Sequence, residues 1–516
     1  MRYIDLKCSP EEASSAPFID EQLGKELRLP PGGFQWRIEK RSIDARSRSP
    51  VAQLRIGIVG AGEPFPEMIV RKFGDGIFQS KALVVGFGPA GIFAALRCLE
   101  LGIQPIVLER GKDVRSRRRD LVSITRDGVV DEQSNYCYGE GGAGTYSDGK
   151  LYTRSTKKGS VLRILETFVQ FGANENILTE SHPHLGTNKL PQIITSMREA
   201  ILAHGGEVHF ETAVTGFEVA GGAVLAAMDQ RGKRHAADHV ILATGHSARD
   251  MFELLIASKI KVEPKPFAVG LRVEHPQAFV DQCQYRTPER GDYLPPAAYS
   301  VVTQVGGRGV YSFCMCPGGV VAPCATEKDG VVTNGWSPSK RNNPWANAGI
   351  VVEVKLEDLE KAYGKDPLAG VKLQREIERR AFALGGSNQF APAQRASDFL
   401  ANRLSADLPT SSYRPGVTSA NLQELFPEYI AKSLVKAIRF FDSRMPGFAG
   451  NDALLIAPET RTSSPVRIPR DGETLCHPKI FNLYPCGEGA GYAGGIVSAA
   501  IDGERVAEAA SARVRR

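Results

Sequence analysis

The chain has 516 residues, of which 42% are hydrophobic and 24% are charged. These proportions are those of a soluble globular protein, and the length predicts two or three domains. No apolar run reaches the roughly 18 residues that a membrane span needs. The net charge of +6 is too small for this length to indicate nucleic-acid binding.

The cysteine content and the N-terminus both favour a cytoplasmic location. Nine cysteines are scattered along the chain, and this odd number does not form a disulfide framework. The first residues, MRYIDLKCSPEE, contain no apolar signal-peptide core. We therefore expect a cytoplasmic protein that neither spans nor binds a membrane.

Residues 1–78 are expected to form a small N-terminal α+β domain. Alternating hydrophobic patterns predict strands over residues 2–7, 34–43 and 51–59, and an amphipathic helix is predicted over residues 11–27. The resulting β-α-β-β order indicates a ferredoxin-like unit.

A nucleotide-binding motif follows in residues 81–111, KALVVGFGPAGIFAALRCLELGIQPIVLERG. The glycines of GFGPAG stand between a short buried strand and a helical pattern, which is the context that a dinucleotide fingerprint requires. A second strand then ends on Glu109. Together these features favour nucleotide binding over a glycine-rich packing turn.

The residues of this motif have separate predicted roles. Gly86 permits the tight turn, Gly88 lets the backbone approach a pyrophosphate, and Gly91 lets the helix pack close to its strand. The helix N-terminus directs free N–H groups at the phosphates. Glu109 is expected to hold ribose hydroxyls. The predicted cofactor contacts in this unit are Gly86, Gly88, Pro89, Ala90, Gly91, Glu109, Arg110 and Arg117.

The densest basic run is Arg115-Ser116-Arg117-Arg118-Arg119. It is consistent with a solvated helix face or with contact to a dinucleotide pyrophosphate. The run and the N-terminal domain are the only features that support an RNA-modifying flavoprotein as an alternative function. A nucleic-acid partner is not expected.

Residues 135–150, NYCYGEGGAGTYSDGK, are dense in glycine and cannot build a core element. Such a run suits backbone that approaches a flat ligand, and Tyr146, Asp148 and Lys150 add directed polar groups. A mobile surface loop is the alternative. The cofactor contacts predicted here are Gly141, Gly142, Ala143, Gly144 and Ser147.

A small antiparallel meander is predicted over residues 214–235, and it returns into a buried strand that ends Ala243-Thr244-Gly245. Val214 is expected beside the adenine end of the nucleotide, and Gly245 at the sharp turn, so both are predicted cofactor contacts. His246 could act as an acid or base, or could be a hydrogen-bonded structural residue.

From residue 263 to residue 458 the composition shifts and no second fingerprint appears, which predicts an inserted substrate or cap domain. Cys314-Met315-Cys316 lies within it. These cysteines are either small buried hydrophobes or a redox or substrate-contacting pair. Their one-residue spacing differs from the CxxC of thioredoxin-like redox sites. No His/Cys cluster has the spacing of a metal site.

The segment RTSSPVR, residues 461–467, lies where the inserted domain rejoins the nucleotide domain. Two arginines that flank three hydroxyl residues are consistent with an anion or carboxylate clamp, and equally with a hydrogen-bonded crossover loop. The catalytic residues stay unassigned, with the candidates Lys150, Cys314, Cys316, Arg461 and Arg467.

A last strand is predicted over residues 480–485, followed by CGEGAGYAGG and a helix over residues 496–510. This unit offers a second helix N-terminus to the same ligand. The predicted cofactor contacts here are Gly487, Glu488, Gly494, Gly495 and Ile496.

Three of these pieces in this order resemble the glutathione-reductase-like FAD flavoproteins: Glu109-Arg110-Gly111 after the fingerprint, Ala243-Thr244-Gly245, and Gly487-Glu488 before a helix. A closer resemblance covers nearly the whole chain. SNYCYGEGGAGTYSDGKL, YSFCMCPGG, VVTNGWSPSKRNN, APAQ, ETRTSSPVRI and YPCGEGAGYAGGIVSAAIDG resemble a bacterial family of uncharacterised FAD-dependent dehydrogenases, which also carries a small N-terminal domain.

The resemblance implies FAD as the cofactor and an α/β fold with a glutathione-reductase-like FAD-binding Rossmann domain, but it names no substrate. By similarity, the helix after Gly494-Gly495 would face the flavin pyrimidine end, and residues 142–144 would line the ring. The family motif has Asp where this chain has Glu488. The predicted domains are 1–78 (N-terminal), 79–262 (FAD-binding, first part), 263–458 (inserted) and 459–516 (FAD-binding, return segment).

Three functions are open on this basis. The first is an FAD-dependent oxidoreductase that passes a hydride between FAD and a small organic substrate, with NAD(P)H as a possible transient donor. A single complete fingerprint disfavours a reductase with separate FAD and NAD(P)H domains and a redox disulfide. The second is an RNA-modifying flavoprotein, and the third is a flavin-binding regulator without turnover.

Overall fold

The structure is a computed structural model that describes residues 1–30, 32–47, 49–74, 76–153 and 158–514. The first elements are β1 (Arg2–Cys8), α1 (Ala16–Leu27), β2 (Phe34–Asp44) and β3 (Val51–Gly60). β3 pairs antiparallel with both neighbours, so the sheet order is β1-β3-β2. Ser15 caps α1, and Ile19 and Leu23 on one helix face pack against the sheet.

The nucleotide-binding part begins after a linker. Its elements are β4 (Ser80–Val85), α2 (Pro89–Glu100), β5 (Ile103–Leu108), α3 (Val114–Arg126), α4 (Val161–Gln170), α5 (Asn176–Thr179), α6 (Leu190–Ala203), β6 (Glu207–His209), β7 (Val214–Ala220), β8 (Ala223–Asp229), β9 (Arg234–His235), β10 (His239–Leu242) and α7 (Arg249–Ala257). β4, α2 and β5 form the predicted βαβ unit, and β7, β8 and β9 form the predicted meander.

The inserted region is the largest. Its elements are β11 (Glu263–Pro264), β12 (Phe267–Pro276), α8 (Gln277–Tyr285), β13 (Val302–Val305), β14 (Arg308–Cys316), β15 (Val320–Pro323), β16 (Thr333–Trp336), β17 (Trp345–Val354), α9 (Leu356–Tyr363), α10 (Ala369–Leu384), β18 (Ala391–Arg395), α11 (Ala396–Leu400), β19 (Val417–Ser419), α12 (Glu428–Arg444) and β20 (Leu454–Glu459). The return segment adds β21 (Val466–Arg467), β22 (Leu483–Pro485) and α13 (Ile496–Val514).

Five parallel strands form the central sheet of the nucleotide-binding part, in the order β22-β10-β4-β5-β6. α2, α4, α6 and α13 pack on one face, and α7 with the meander packs on the other. Both faces of β4 are therefore buried, which explains its uninterrupted apolar sequence. The carboxyl ends of parallel strands meet at one edge of the sheet, where doubly wound folds bind their ligands.

The inserted region is organised around a seven-stranded sheet, in the order β13-β14-β17-β12-β20-β18-β19. Only the β18–β19 pair is parallel among its described strands. β11 and β21 pair antiparallel, Glu263 opposite Arg467, so the two ends of the insertion lie side by side. This ribbon places the inserted region next to the return segment.

The last sheet strand is shorter than predicted. Of the predicted residues 480–485, only Leu483–Pro485 form a strand. Ile480 belongs to a turn that is closed by a bridge to His477, and the Asn482 side chain donates to carbonyl oxygens of Val224 and Asp238. None of the described helices is long and apolar enough to cross a membrane.

Candidate functional site

The fingerprint turn lies between β4 and α2, and two of its glycines are required by packing. Gly86 has a φ of +100°, and a Cβ there would lie 2.5 Å from the carbonyl oxygen of Ala243. A Cβ on Gly91 would lie 2.0 Å from the carbonyl oxygen of Gly86. These positions hold α2 tightly against the sheet, as the fingerprint predicts.

Gly88 differs from the other two fingerprint glycines because its α-carbon faces open space. A Cβ there would meet only the Cα of Gly142, at an ordinary contact distance of 3.8 Å. Gly88 is also the N-cap of α2, and no side chain caps this helix end, where Pro89 begins the first turn. The backbone N–H groups of that turn are thus directed at the space beside Gly88.

The glycine-dense segment packs directly against this turn. Gly142 has a φ of +58°, and a Cβ there would lie 3.0 Å from the Cα of Gly88. A Cβ on Gly144 would lie 3.2 Å from Pro89 and 3.5 Å from Ile496. The segment therefore lies between the N-terminal ends of α2 and α13. The hydroxyl of Ser147 donates to the Gly144 carbonyl, so this predicted contact holds its own turn.

The C-terminal glycine turn completes the arrangement. A Cβ on Gly487 would lie 2.8 Å from the Cβ of Ala90, and one on Gly489 would lie 2.4 Å from the Gly245 carbonyl oxygen. A Cβ added to Gly494 or to Gly495 would meet no atom within 4 Å, so both glycines face open space. We call the meeting point of residues 86–91, 141–144 and 487–496 the glycine junction.

Gly245 packs against the C-terminal glycine turn and also faces open space. A Cβ on Gly245 would meet no atom within 4 Å. Nδ1 of the adjacent His246 lies 3.4 Å from Oε1 of Glu488, and both side chains are partly exposed. The side chain of Glu488, which is one methylene longer than the Asp of the family motif, is thus directed at His246. The sequence did not predict this partner.

Glu109, the predicted ribose-binding acid, directly follows β5 and is buried. Its carboxylate accepts hydrogen bonds from the backbone N–H groups of Phe87, Gly111 and Gly139, at 2.8–2.9 Å. A carboxylate has about four acceptor positions, so this one ties the fingerprint turn to the glycine-dense segment and keeps capacity for a ribose hydroxyl.

Arg110 and Val214, two further predicted contacts, lie on the meander side of the sheet. The Arg110 guanidinium pairs with Asp250 and lies over the Tyr138 ring, 4.6 Å from its centroid. Val214 begins β7 and is buried in the core on that face. Arg110 is therefore oriented by neighbours of its own, and Val214 is a packing residue in this structure.

The prediction of a solvated helix face is wrong for Arg117. Its guanidinium is fully buried and donates to four backbone carbonyls, those of Asn135, Tyr136, Glu140 and Gly142, at 2.7–2.9 Å. Direct contact with a pyrophosphate is not supported either, since these bonds direct the guanidinium at the glycine-dense segment. Its role is to shape that segment. A buried guanidinium also cannot contact RNA phosphates.

The interpretation of residues 461–467 as an anion clamp is wrong for Arg461. Arg461 is buried and donates to both carboxylate oxygens of Glu378, at 2.9 and 3.1 Å. Thr462 and Ser464 donate to backbone carbonyls. Arg467 is exposed and lies over the Tyr492 ring. The segment is the hydrogen-bonded crossover loop that the sequence left open as the alternative.

The three other catalytic candidates do lie together. Nζ of Lys150 lies 3.6 Å from Sγ of Cys314 and 3.7 Å from Sγ of Cys316, and 3.4 Å from Oδ2 of Asp148. Asp148 also accepts from Arg341 of the inserted region, at 3.1 Å. These contacts join the end of the glycine-dense segment to the inserted sheet.

Sequence reasoning missed the buried charges that hold the inserted region in place. Glu378 on α10 pairs with Arg249 on α7 and with Arg461. Arg272 and Glu459, both fully buried on adjacent strands, pair at 2.7 Å. Arg461 was a candidate by residue type, but the partners in these ion pairs lie far apart in the sequence, so no local spacing predicts the pairing.

Two parts of the chain match known protein families. Residues 266–462 match a family described as FAD-dependent protein, C-terminal domain-like, and residues 1–59 match a domain of unknown function. An uncharacterised protein of Clostridium beijerinckii (strain ATCC 51743 / NCIMB 8052) is 42% identical over 441 residues, which are 85% of this chain and 82% of that protein. The chain belongs to the same protein family as this Clostridium beijerinckii protein. FAD is its cofactor.

Two solved structures illustrate how distant other similar folds are. CtdE in complex with FAD is 11% identical with a TM-score of 0.34, over 85% of this chain and 88% of that chain. A geranylgeranyl bacteriochlorophyll reductase-like protein from Thermoplasma acidophilum is 13% identical with a TM-score of 0.36, over 84% and 79%. Likeness at this level does not transfer a substrate or reaction.

The glycine junction fits a dinucleotide cofactor. Four glycines have open space where a side chain would stand: Gly88, Gly245, Gly494 and Gly495. The neighbouring glycines of the same turns are closely packed. Two helix N-termini, those of α2 and α13, reach the same place. Open backbone next to helix N-termini is the arrangement that binds phosphate groups.

Proposed function

We propose that the protein is an FAD-dependent oxidoreductase that passes a hydride between bound FAD and a small organic substrate. One observation carries the proposal: the glycine junction joins the N-terminal ends of α2 and α13 beside the fingerprint turn. The cofactor supplies hydride chemistry at its flavin ring. The chain supplies binding, orientation and electrostatics.

Different residues would hold different parts of the cofactor. Gly88 and the first turn of α2 would bind the pyrophosphate, and Glu109 would accept a ribose hydroxyl. Backbone of residues 142–144 would line the ring. The N-terminus of α13 after Gly495 would stabilise the negative charge that the flavin pyrimidine end gains on reduction.

The substrate would be held between the glycine-dense segment and the inserted region. The Asp148–Arg341 pair and the Lys150 contacts to β14 support this, since they bring inserted-region side chains to the end of that segment. NAD(P)H, where it serves as donor, would bind transiently, because the sequence contains one complete fingerprint. RNA gains no support from the buried Arg117.

Anaerobic mixing of the purified holoenzyme with NADH, with NADPH and with a panel of alcohols, hydroxy acids and amines tests the proposal. Bleaching of the visible flavin absorbance by at least one of these reductants is the expected result. A flavin that stays oxidised with all of them would contradict hydride transfer and favour a flavin-binding regulator. Salt-sensitive co-purification of RNA would favour the RNA-modifying alternative.

A further inference from the structure

A second cluster of reactive groups lies where the glycine-dense segment meets the inserted region. Cys314 and Cys316 end β14, and Lys150 reaches them from the glycine-dense segment. We call these three residues the dithiol site. The function proposed above assigns no chemical step to the two sulfurs.

The ammonium group of Lys150 lies at nearly the same distance from both sulfurs of the dithiol site. The two Sγ atoms lie 4.0 Å apart, and Nζ of Lys150 lies 3.6 and 3.7 Å from them. Cysteines beside Lys or Arg are stabilised as thiolates, the reactive form in thiol–disulfide chemistry. A disulfide needs an S–S distance of about 2.05 Å, so side-chain rotation must bring the two sulfurs closer before they can bond.

The backbone at Cys314 has a strained conformation. Its φ is +45°, in the left-handed region that non-glycine residues seldom adopt. A register shift between Phe313 and Cys316 interrupts the strand pairing here. Arg272 fixes this conformation by donating to the Cys314 carbonyl at 2.7 Å. Such outliers cluster at functional sites, whereas space-filling cysteines need neither strain nor an adjacent cation.

The protonation of the pair follows from its surroundings. The hydrogen bond with Cys316 holds the pKa of Cys314 well below its usual range, and Lys150 and Arg272 lower it further against the effect of burial. The same bond raises the pKa of Cys316, which keeps the proton, and burial adds to this. The charged groups around the pair are Lys150, Asp148 and Arg272, with Glu459 and Arg341 behind them.

We propose that Cys314 and Cys316 form a redox-active dithiol–disulfide pair that exchanges two electrons with the FAD of the same chain. In one direction the Cys314 thiolate and the Cys316 thiol join in an S–S bond. Two electrons and the Cys316 proton leave together for the oxidised flavin, as one hydride equivalent. In the other direction the reduced flavin returns them and the S–S bond breaks. This inference rests on FAD as the cofactor and not on the small substrate.

Thiol trapping on the holoenzyme tests the pair directly. The protein is equilibrated in mixtures of reduced and oxidised dithiothreitol, quenched with acid, alkylated and analysed by peptide mass spectrometry. As the mixtures become more oxidising, we expect Cys314 and Cys316 to become protected from alkylation together, because they form a disulfide, with a single midpoint for both. The other seven of the nine cysteines should stay alkylated, and they serve as internal controls.

The link to the flavin is tested by photoreduction. Holoenzyme that carries the disulfide is reduced anaerobically by light with EDTA, which requires neither NAD(P)H nor the substrate. Two thiols at Cys314 and Cys316 should then reappear for each flavin reoxidised. A failure of the proposed substrate chemistry would leave this result unchanged, so the two proposals are tested separately.

Variants separate a redox role from a packing role. Lys150→Met should slow alkylation of Cys314 at neutral pH by at least about tenfold and move its pH midpoint upward, and Lys150→Arg should restore most of the rate. Cys283→Ser, at a half-buried cysteine outside the site, should change neither. The proposal is overturned if both thiols stay alkylated in every mixture, or if a disulfide forms but photoreduced flavin does not reduce it.

Discussion

The glycine junction and the seam around Glu378 both join distant parts of the chain, but they are built differently. The junction is made by backbone: glycines at fixed spacings bring two helix N-termini together. The seam is made by side chains, since Glu378 joins Arg249 and Arg461 from three distant parts of the chain. Backbone requirements leave a local pattern in the sequence, whereas a buried ion pair leaves none.

The charge on Glu378 is stabilised by its two arginine partners in the seam. Burial raises the pKa of Glu378, but Arg249 and Arg461 outweigh burial and lower the pKa to about 2. The carboxylate therefore stays charged over the whole working range of pH. Removing one partner from such a pair leaves the others buried without compensation.

The largest effect is expected from Gly91→Ala at the glycine junction. The added Cβ would lie 2.0 Å from the Gly86 carbonyl oxygen, so α2 must move from the sheet, at a cost of about 3 kcal/mol or more. Thermal unfolding should show a large loss of stability together with loss of FAD. Gly472→Ala is the matched control, because a Cβ there meets no atom within 4 Å. An unaltered melting temperature in Gly91→Ala would break the account of the junction.

Glu378→Gln should have the next largest effect, through the seam. At neutral pH we expect a loss of about 3 kcal/mol in the free energy of unfolding. The pKa of Glu378 is depressed in the folded state, so its contribution is complete above about pH 4.5, the ordinary value, and is lost as the pH falls toward 2. The difference between variant and wild type should therefore shrink on acidification.

Denaturant titrations at several pH values measure this difference. Glu376→Gln, an exposed residue on the same helix, provides the control and should change stability little. A gap between Glu378→Gln and wild type that stays constant from neutral pH to pH 3 would contradict the depressed pKa.

Arg117→Met tests whether a side chain shapes the backbone-built junction. Loss of four charge-assisted bonds to the glycine-dense segment should loosen it and weaken FAD binding by about tenfold. Fluorescence titration of the apoprotein with FAD measures the change. Arg118→Met, exposed on the same helix, should bind FAD as the wild type does. Equal affinities in the two variants would contradict a role for Arg117 in shaping the cofactor site.

The smallest effect is expected from Glu488→Asp. Shortening the side chain draws the carboxylate away from His246, which now lies 3.4 Å from it. A partly exposed pair of this kind contributes about 0.5 kcal/mol, so FAD affinity should change about twofold in the same titration. A change beyond about tenfold would show that Glu488 contacts the cofactor directly.

The sequence predicted the parts of the fold that depend on local pattern. The βαβ unit, the meander and the final helix lie where glycine spacing and hydrophobic periodicity placed them. The late start of the strand predicted over residues 480–485 was not predictable, because Asn482 bonds to Val224 and Asp238, far away in sequence.

The same distinction holds for the site. Gly88 and Gly142 could be assigned to a common ligand because each needs a particular backbone conformation or approach. Arg117 and Arg461 could not be interpreted correctly, since their roles depend on which carbonyl or carboxylate the fold brings to them. Lys150 and the two cysteines were candidates by residue type, and only the structure brings them together.

FAD affinity of the Gly88→Ala variant tests the central claim most directly. A Cβ at Gly88 would touch only Gly142, at 3.8 Å, so the apoprotein should melt at the wild-type temperature. The same Cβ would occupy the space proposed for the pyrophosphate. We predict FAD binding at least about 100-fold weaker than wild type, measured by titration calorimetry. Wild-type affinity in a correctly folded Gly88→Ala protein would contradict the assignment of the glycine junction as the cofactor site.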